Sequence, residues 1–203
     1  MGKLFGTDGV RGRVNKHPMT AEMAMAVGRA TACLFRRDGH VGHIILGKDT
    51  RLSGDMVESA LVAGICSMGA HAILAGVIPT PAISFLTANS RADAGIMISA
   101  SHNPYYDNGI KIFSGNGRKL PDEMEDAVER MVLQNEFENR LPDSHELGKA
   151  MRMDDARGRY IAFLKRTFPP GMNLEGMKLI LDCANGATYQ VGPDTFAELE
   201  ASV

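Results

Sequence analysis

The sequence predicts an α/β fold with a mixed, largely parallel sheet flanked by helices. Short apolar runs bounded by glycine or polar residues are typical of buried strands. Between these runs lie longer stretches with apolar residues three and four positions apart, the spacing of amphipathic helices. Because the two patterns alternate along the chain, helices are expected to connect strands that run largely in parallel.

The first half of the chain provides two helices and two strands. Thr20 has the chemistry of a helix N-cap and precedes an amphipathic stretch. Ser53 is the expected cap of a second helix, which ends at Gly69, where a left-handed residue is favoured. Buried strands are predicted at residues 43–46 and 72–75.

The following segment is predicted to continue the same alternation. Residues 79–81, Pro-Thr-Pro, break the chain before a short helix over residues 82–87. Strands are predicted at 95–98 and 109–113, the second of them half-exposed. Pro121 suits the first turn of a helix that runs to about Leu133.

The chain is predicted to contain one domain and part of another. Residues 1–150 form the first α/β domain, and residues 151–175 contain a connecting helix. Residues 176–203 are the incomplete beginning of a second similar domain, with a strand at 177–182. Because that strand would lack sheet partners, we expect either disorder after Phe168 or association between chains, including a homo-oligomer.

Composition excludes several classes of protein. Hydrophobic residues make up 44% of the chain and charged residues 23%, which is too apolar for a disordered protein. A net charge of −2 does not favour nucleic acid as a partner. No secretory leader or long apolar run is evident, and Cys33, Cys66 and Cys183 have no metal-type spacing. We therefore expect reduced thiols in a cytoplasmic protein that does not bind membranes.

Charge is unevenly distributed along the chain. Residues 1–53 contain nine Lys and Arg against four Asp and Glu, so an anionic ligand near this half is plausible. Residues 121–146 contain nine acids against two arginines, which on a helical pattern is typical of a solvated face.

A polar loop, residues 99–104, directly follows the predicted strand at 95–98. In α/β sheets, ligands bind beyond the carboxyl ends of the strands, so a reacting group is expected here. Ser101 is the candidate nucleophile or phosphate carrier. The alternative is an Asn-Pro turn whose hydroxyls have no chemical role. His102 is not assigned as the base for Ser101, because catalytic groups are assembled in space rather than by adjacency in sequence.

Residues 6–12 form a glycine-rich segment that contains Thr7, Asp8 and Arg11. Glycines allow backbone N–H groups to approach an anion, and arginine binds phosphate through two donors. The segment lacks the ending of a Walker loop and the preceding strand of a dinucleotide fingerprint. The alternative interpretation is a flexible terminus.

Two further segments place charge near the ends of predicted strands. Residues 47–54 contain Asp49 and Arg51, which either pair with each other or bind an anion. Lys111 lies in the strand that follows the Ser101 loop, near enough to reach the same site. Pattern alone favours a side chain that faces solvent.

Four separated segments resemble motifs of the α-D-phosphohexomutase family, and they occur in the family's order along essentially the whole chain. They are residues 6–12, 47–54, 79–81 and 99–111, among which Ser-Ala-Ser-His-Asn-Pro is the most specific. The motifs are closest to those of bacterial members that interconvert glucosamine 6-phosphate and glucosamine 1-phosphate, on the route to UDP-N-acetylglucosamine and peptidoglycan. Members that act on mannose or glucose phosphates are the alternative.

The resemblance implies roles for individual residues. Ser101 would be the phosphoserine that donates its phosphoryl group to the sugar, and its phosphate would be a ligand of Mg²⁺. A bisphosphorylated sugar would turn over in the site and return its other phosphate. The implied catalytic residues are Ser101, His102, Lys111 and Arg11. The implied substrate- and phosphate-binding residues are Thr7, Asp8, Arg11, Asn103 and Lys111.

The sequence also departs from the family. Members have four domains, whereas this chain corresponds to the first domain and the opening of the second. The family's Asp-Gly-Asp-Gly-Asp metal loop is absent from the 203 residues. Because Mg²⁺ usually needs carboxylates, it should bind weakly here. We therefore expect no mutase activity from this chain alone, and a non-catalytic phosphosugar-binding module is the competing hypothesis.

Overall fold

A computed structural model describes residues 4–6, 9–37 and 39–203, and it contains one six-stranded sheet. The strands lie in the order β1-β5-β4-β2-β3-β6 across the sheet. They are β1 (Val10–Arg13), β2 (His43–Lys48), β3 (His71–Val77), β4 (Ala94–Ile98), β5 (Asp107–Ser114) and β6 (Ala150–Arg152). The helices are α1 (Ala21–Phe35), α2 (Gly54–Ser67), α3 (Thr80–Asn89), α4 (Asp122–Gln134), α5 (Ala156–Arg166) and α6 (Val191–Ala197).

The sheet is mixed and mostly parallel, which confirms the predicted fold class. Strand β2 runs parallel to both β3 and β4, and β6 runs parallel to β3. Strand β5 is antiparallel to both of its neighbours, β4 and β1. The reversal arises because a short loop, rather than a helix, joins β4 to β5. That connection contains the Ser101 loop.

Helices cover both faces of the sheet. Because side chains alternate along a strand, Ile44 and Leu46 of β2 pack towards α1, α2 and α4, in a large apolar cluster. Ile45 of the same strand belongs to a second cluster that contains buried residues of α3 and α5. The molecule is therefore a three-layer α/β/α sandwich.

The signals at Thr20 and Gly69 are confirmed, whereas Ser53 does not act as predicted and α3 begins at Thr80, within the predicted break. The Thr20 hydroxyl accepts a hydrogen bond from the Met23 N–H at 3.2 Å, as an N-cap should. Gly69 adopts a φ of +85°, as predicted for the end of α2. Ser53 does not cap α2 through its side chain. Its hydroxyl instead accepts from the side-chain amide of Asn108 at 2.9 Å, which joins this turn to β5.

Two short edge strands were not predicted. Strand β1 forms within the glycine-rich amino-terminal segment and pairs with β5, with Val10 opposite Ile110. Strand β6 pairs with β3, with Ala150 opposite Ala72. Because both strands are only three or four residues long, they carry too little periodicity to be recognised in the sequence.

The predicted strand at residues 177–182 is wrong. Among the described residues, this segment makes only an isolated bridge between Lys178 and Ser202. It lacks a neighbouring strand with which to form a ladder, and the side chain of Ile180 is fully exposed. Helix α6 nevertheless packs on the domain, since Val191 joins the same apolar cluster as Tyr160 of α5. Association between chains and the predicted domain boundaries stay predictions.

No helix in the described part of the chain combines the length and apolarity needed to cross a bilayer.

Candidate functional site

The candidate site lies where β2 and β4 end side by side. Lys48 and Ile98, the last residues of the two strands, are opposite each other in the parallel ladder. The Asp49 N–H continues the ladder by donating to the carbonyl of Ile98 at 3.0 Å. The loop after β2 is therefore attached to the loop that carries Ser101.

Ser101 is held in an uncommon backbone conformation with its side chain exposed. Its φ is +57°, in the left-handed region that costs an L-residue about 1–2 kcal/mol. Its N–H donates to the Ser99 hydroxyl oxygen at 3.0 Å. Such conformations persist when the surroundings over-determine them, and they cluster at functional sites.

Arg51 determines the shape of this loop. One terminal nitrogen, Nη2, donates to the carbonyl oxygens of Ser101 and Asn103, both at 2.9 Å. The other, Nη1, donates to the carbonyls of Pro104 at 2.7 Å and Asp107 at 3.1 Å. The Arg51 side chain is only 9% exposed, so these charge-assisted bonds are shielded from water.

Asp49 completes this network. Its Oδ2 accepts from Arg51 Nε at 3.0 Å and from the Ser99 hydroxyl at 2.7 Å, while Oδ1 accepts from the Arg51 N–H at 3.0 Å. A continuous path of hydrogen bonds thus runs from the Ser101 N–H through Ser99 and Asp49 to Arg51. Of the two interpretations left open for Asp49 and Arg51, the structure supports pairing.

Gly109 allows the start of β5 to lie against its neighbours. A Cβ at this position would lie 2.7 Å from the carbonyl oxygen of Ser99 and 2.9 Å from Arg11 Cγ. The Ser99 N–H donates to the Gly109 carbonyl at 2.9 Å. Arg11 is opposite Gly109 in the β1–β5 ladder. The stem of Arg11 therefore lies beside the strand into which the Ser101 loop leads.

Lys111 lies on the same side of the sheet as α3. Its neighbours Ile110 and Ile112 point into the opposite apolar cluster, so alternation directs Lys111 away from them. The Lys111 side chain is partly buried and lines a cavity together with Thr80. Thr80 also lines the cleft at Ser101, so Lys111 is near that cleft rather than on the far face.

His102 and Asn103 differ in the contacts that their side chains make. The His102 ring is exposed, with Nδ1 3.4 Å from Ser101 Oγ, which is longer than the separation of a coupled nucleophile and base. The side-chain amide of Asn103 donates to Asp107 Oδ2 at 3.1 Å and so stabilises the loop. Thr7 and Asp8, two predicted phosphate-binding residues, lie outside the described residues.

A cleft of about 900 Å³ opens at Ser101. It is lined by Asp49, Arg51 and His102, by the start of α3, and by residues 184–187. The Thr50 hydroxyl donates to the Asn185 carbonyl, which connects the carboxyl-terminal segment to this edge of the sheet. This volume is in the range of small-molecule sites and accommodates a sugar phosphate.

Lys48 forms ion pairs with two carboxylates beside the site. Its ammonium donates to Asp55 Oδ1 at 2.7 Å and to Glu58 Oε2. Burial acts to lower the pKa of Lys48, but the hydrogen bonds to Asp55 and Glu58 outweigh it and hold the pKa above its ordinary value. The same interaction lowers the pKa of Asp55. Lys48 therefore holds the start of α2 to β2.

The described residues around Ser101 do not by themselves make a Mg²⁺ site. The Asp49 carboxylate already accepts three hydrogen bonds, and Asp107 Oδ2 accepts from Asn103. Mg²⁺ prefers an octahedral set of oxygen ligands with one or two carboxylates. Phosphorylated Ser101 would supply one such oxygen, and none of the described residues that line the cleft offers an uncommitted carboxylate.

Sequence reasoning did not foresee how Arg51 and Ser99 act. The Ser99 hydroxyl, which the turn hypothesis treated as incidental, connects Ser101 to Asp49. The usable signal was the position of Asp49 and Arg51 directly after a parallel strand. Parallel strands end at the same edge of a sheet. If β2 and β4 are neighbours, these side chains therefore lie close to the Ser101 loop.

Comparisons with known proteins identify the family of this chain. Residues 2–139 match the family model described as phosphoglucomutase/phosphomannomutase, alpha/beta/alpha domain I. Two curated relatives, both named phosphoglucosamine mutase, are from Syntrophus aciditrophicus (68% identical) and Syntrophobacter fumaroxidans (57% identical). In each case the match covers 100% of this chain and 45% of the relative, so the chain spans about half of their length.

A solved structure has the same fold. It is a phosphoglucomutase/phosphomannomutase family protein from Burkholderia thailandensis, with a TM-score of 0.80 at 24% identity. The match covers 98% of this chain and 43% of that one.

Proposed function

The chain belongs to the phosphoglucomutase/phosphomannomutase family, and from this membership we propose that Ser101 carries a phosphoryl group and exchanges it with a hexose phosphate. The observation that carries the proposal is the loop itself. The side chain of Ser101 is exposed, and its backbone has a φ of +57° at the carboxyl end of the parallel strands. Four hydrogen bonds from the Arg51 guanidinium to backbone carbonyl oxygens fix the conformation of its loop. Phosphoryl transfer depends chiefly on such positioning and on charge stabilisation.

The reaction would proceed in two transfers. In the first, a sugar hydroxyl attacks the phosphorus of phosphorylated Ser101, so that a sugar O–P bond forms and the Ser101 Oγ–P bond breaks. The hydroxyl proton is lost and Ser101 Oγ gains one, leaving a bisphosphorylated sugar and free serine. In the second, Ser101 Oγ attacks the phosphorus of the other sugar phosphate, so that an Oγ–P bond forms and a sugar O–P bond breaks. The serine proton is lost, and the released sugar oxygen gains one. The product is a positional isomer of the starting hexose phosphate.

We assign supporting roles to residues near Ser101. Lys111 and Arg11 would stabilise the charge of the transferring phosphoryl group or assist proton transfer. Their position on β5 and β1, next to the strand end that follows the loop, supports this assignment. His102, exposed beside Ser101 Oγ, would contact phosphate or sugar. Asn103 would act mainly through the shape of the loop.

For the substrate we propose glucosamine 6-phosphate and glucosamine 1-phosphate, interconverted as in UDP-N-acetylglucosamine synthesis. Relatives named phosphoglucosamine mutase at 57% and 68% identity support this choice. The alternative is a mannose or glucose phosphate, since the family model covers mutases of both. Mg²⁺ on phosphorylated Ser101 belongs to the same proposal, and its remaining ligands are not assigned to described residues.

The 203-residue chain alone is proposed to lack turnover. The side chains of Ser101 and His102 are exposed, and the Tyr105 side chain beside them is 85% exposed. Phosphoryl transfer to a sugar hydroxyl competes with transfer to water, so a productive site must exclude water. A further wall over the cleft is therefore needed. Steady-state turnover by the isolated 203 residues would contradict this view.

A reducing compartment is proposed for the protein. Cys33, Cys66 and Cys183 are free thiols. Burial raises the pKa of both Cys33 and Cys66, which keeps these thiols protonated and unreactive. Free, half-buried thiols support the prediction of a cytoplasmic location.

A mutase assay on the complete gene product tests this proposal. Conversion of glucosamine 6-phosphate is expected to exceed that of mannose or glucose 6-phosphate, and Ser101→Ala is expected to abolish it. Ser59→Ala is the matched control, because the Ser59 hydroxyl donates to the Asp55 carbonyl on an exposed helix face. A preference for the hydroxyl sugars would overturn the substrate, and activity in Ser101→Ala would overturn the mechanism.

A further inference from the structure

A cluster of side chains that can ligate a metal ion lies at the opposite end of β2 and β4 from Ser101. His40, His43 and Asp93 offer three ligand atoms within 4.8 Å of one another. His43 is the first residue of β2, and Asp93 directly precedes β4. We propose that these three residues bind a divalent transition metal ion of the Zn²⁺ class.

The Asp93 carboxylate and the His40 ring already face each other. His40 Nε2 lies 2.9 Å from Asp93 Oδ2 and 3.1 Å from Oδ1. The Asp93 side chain is only 8% exposed, whereas His40 is 45% exposed. A largely buried carboxylate is costly unless it is paired, so this group holds its partners tightly. The exposed His40 ring gives an ion a route of entry.

Two of the three ligands are fixed relative to each other by the backbone. The His43 N–H donates to Asp93 Oδ2 at 2.8 Å, and the Asp93 N–H donates to the His43 carbonyl at 2.9 Å. The His43 ring packs edge-on against His71, with centroids 5.3 Å apart. His71 Nδ1 accepts from the Lys149 N–H at 3.1 Å, so His71 supports His43 rather than adding a fourth ligand. The ring contact with His71 restrains the orientation of the His43 ring.

The donor set matches the chemistry of zinc. Zn²⁺ binds imidazole nitrogen and carboxylate oxygen at about 2.0–2.2 Å, which in a tetrahedron separates the ligand atoms by about 3.3–3.5 Å. His40 Nε2 and Asp93 Oδ2, at 2.9 Å, are slightly closer than this, whereas the other separations, at most 4.8 Å, must shorten. Rotation of the His40 side chain can supply part of this adjustment, because His40 lies in the turn after α1 and is half-exposed. Water would complete the coordination.

The proposed site is separate from the one at Ser101. Strand β4 begins directly after Asp93 and ends directly before the loop that contains Ser101. Five residues at about 3.3 Å each place the two sites about 17 Å apart along the strand. Metal binding here would tie the turn after α1 to two central strands, and it does not depend on the phosphoryl-transfer proposal.

Titration of the metal-free protein with Zn²⁺ tests this inference. We expect one equivalent to bind by calorimetry, and Co²⁺ to give the intense visible absorption of a tetrahedral site. His40→Ala should weaken Zn²⁺ binding by at least about tenfold and lose the Co²⁺ spectrum, while the fold persists because the His43 N–H still donates to Asp93 Oδ2. Asp93→Asn should weaken it similarly. His145→Ala, an exposed histidine outside the cluster, should bind as the wild type does.

The same titration can overturn the proposal. If the wild type binds no Zn²⁺, or if His40→Ala and His145→Ala bind it equally well, the cluster is an ion pair only. Retention of the Co²⁺ spectrum by both His40→Ala and Asp93→Asn would place the metal on other residues. The readouts need no mutase activity, so they do not depend on the chemistry at Ser101.

Discussion

The side chain of Arg51 donates a hydrogen bond to the backbone carbonyl of Ser101 at 2.9 Å, across 50 positions of sequence. The same guanidinium donates hydrogen bonds to three further backbone carbonyls. Together these contacts make Arg51 the residue that shapes the proposed phosphoserine loop. Its role is structural, because its donors face the loop backbone and Asp49.

Arg51→Lys is expected to destabilise the protein although it keeps the charge. A lysine ammonium has three donors and lacks the planar fork, so it cannot make all of the bonds of the guanidinium. We expect the free energy of unfolding in urea to fall by about 2 kcal/mol, the scale of hydrogen bonds to a charged group. Arg159→Lys is the control, since its pair with Asp155 is exposed and should change stability by less than about 0.5 kcal/mol. Equal effects of the two changes would contradict the role of Arg51.

Ser99→Ala is expected to loosen the Ser101 loop. The variant removes the oxygen that accepts from the Ser101 N–H and the donor to Asp49, at a cost of about 1 kcal/mol. Hydrogen–deuterium exchange of the peptide covering residues 99–106 should become faster, while exchange in β2 and β4 stays slow. Ser59→Ala should leave this peptide unchanged. Unaltered exchange in Ser99→Ala would show that the loop does not depend on the network.

Lys48→Met is expected to destabilise the fold by about 2 kcal/mol near neutral pH, because it leaves Glu58, 13% exposed, without its partner. Lys165→Met, which removes an exposed pair with Glu198, should cost less than about 1 kcal/mol. Urea denaturation of both variants provides the comparison.

The pH dependence of that difference follows from the two shifted groups. The pKa of Lys48 is raised above 10.5, so its contribution is present below that value and is lost as pH rises through the folded-state pKa. The pKa of Asp55 is lowered below 3.8, so its contribution is present above 3.8 and is lost in stronger acid. The stability gap between wild type and Lys48→Met should therefore be widest between these limits. A gap that stays constant into strong acid and strong base would contradict the ion pair.

Gly64→Ala tests the packing of α1 on α2. A Cβ at Gly64 would lie 2.2 Å from the carbonyl oxygen of Met25, so the helices must separate, at a cost of about 1–3 kcal/mol. Gly158→Ala in α5 meets nothing within 4 Å and should stabilise by up to about 1 kcal/mol through helix propensity. Thermal unfolding of the two variants should shift in opposite directions, and a stabilised Gly64→Ala would show that the interface is looser than described.

Periodicity was sufficient to predict the central sheet, because β2, β3 and β4 are buried runs whose neighbours are helices with clear start and stop signals. It failed for residues 177–182, since an apolar run becomes a strand only when another strand is available to pair with it. Strand β1 was missed because its pairing with β5 depends on a distant partner rather than on local pattern.

The position of the candidate site could be predicted from the sequence, but the contacts among its residues could not. A polar loop after a buried strand locates Ser101, and the family resemblance supplies the hypothesis about its chemistry. The contacts of Arg51 and Ser99 could not be derived in the same way, because they depend on β2 and β4 being adjacent in the sheet. The cluster of His40, His43 and Asp93 has the same origin, because His43 and Asp93 lie at the amino ends of those two strands.

Phosphopeptide mapping after exposure to glucosamine 1,6-bisphosphate tests the central claim most directly. The protein should gain one phosphoryl group, located by tandem mass spectrometry on Ser101, and Ser101→Ala should gain none. Ser99 and Ser114 lie in peptides close enough to serve as internal comparisons. Phosphate on either of these serines, or on Ser101→Ala, would contradict the claim that Ser101 is the phosphate carrier.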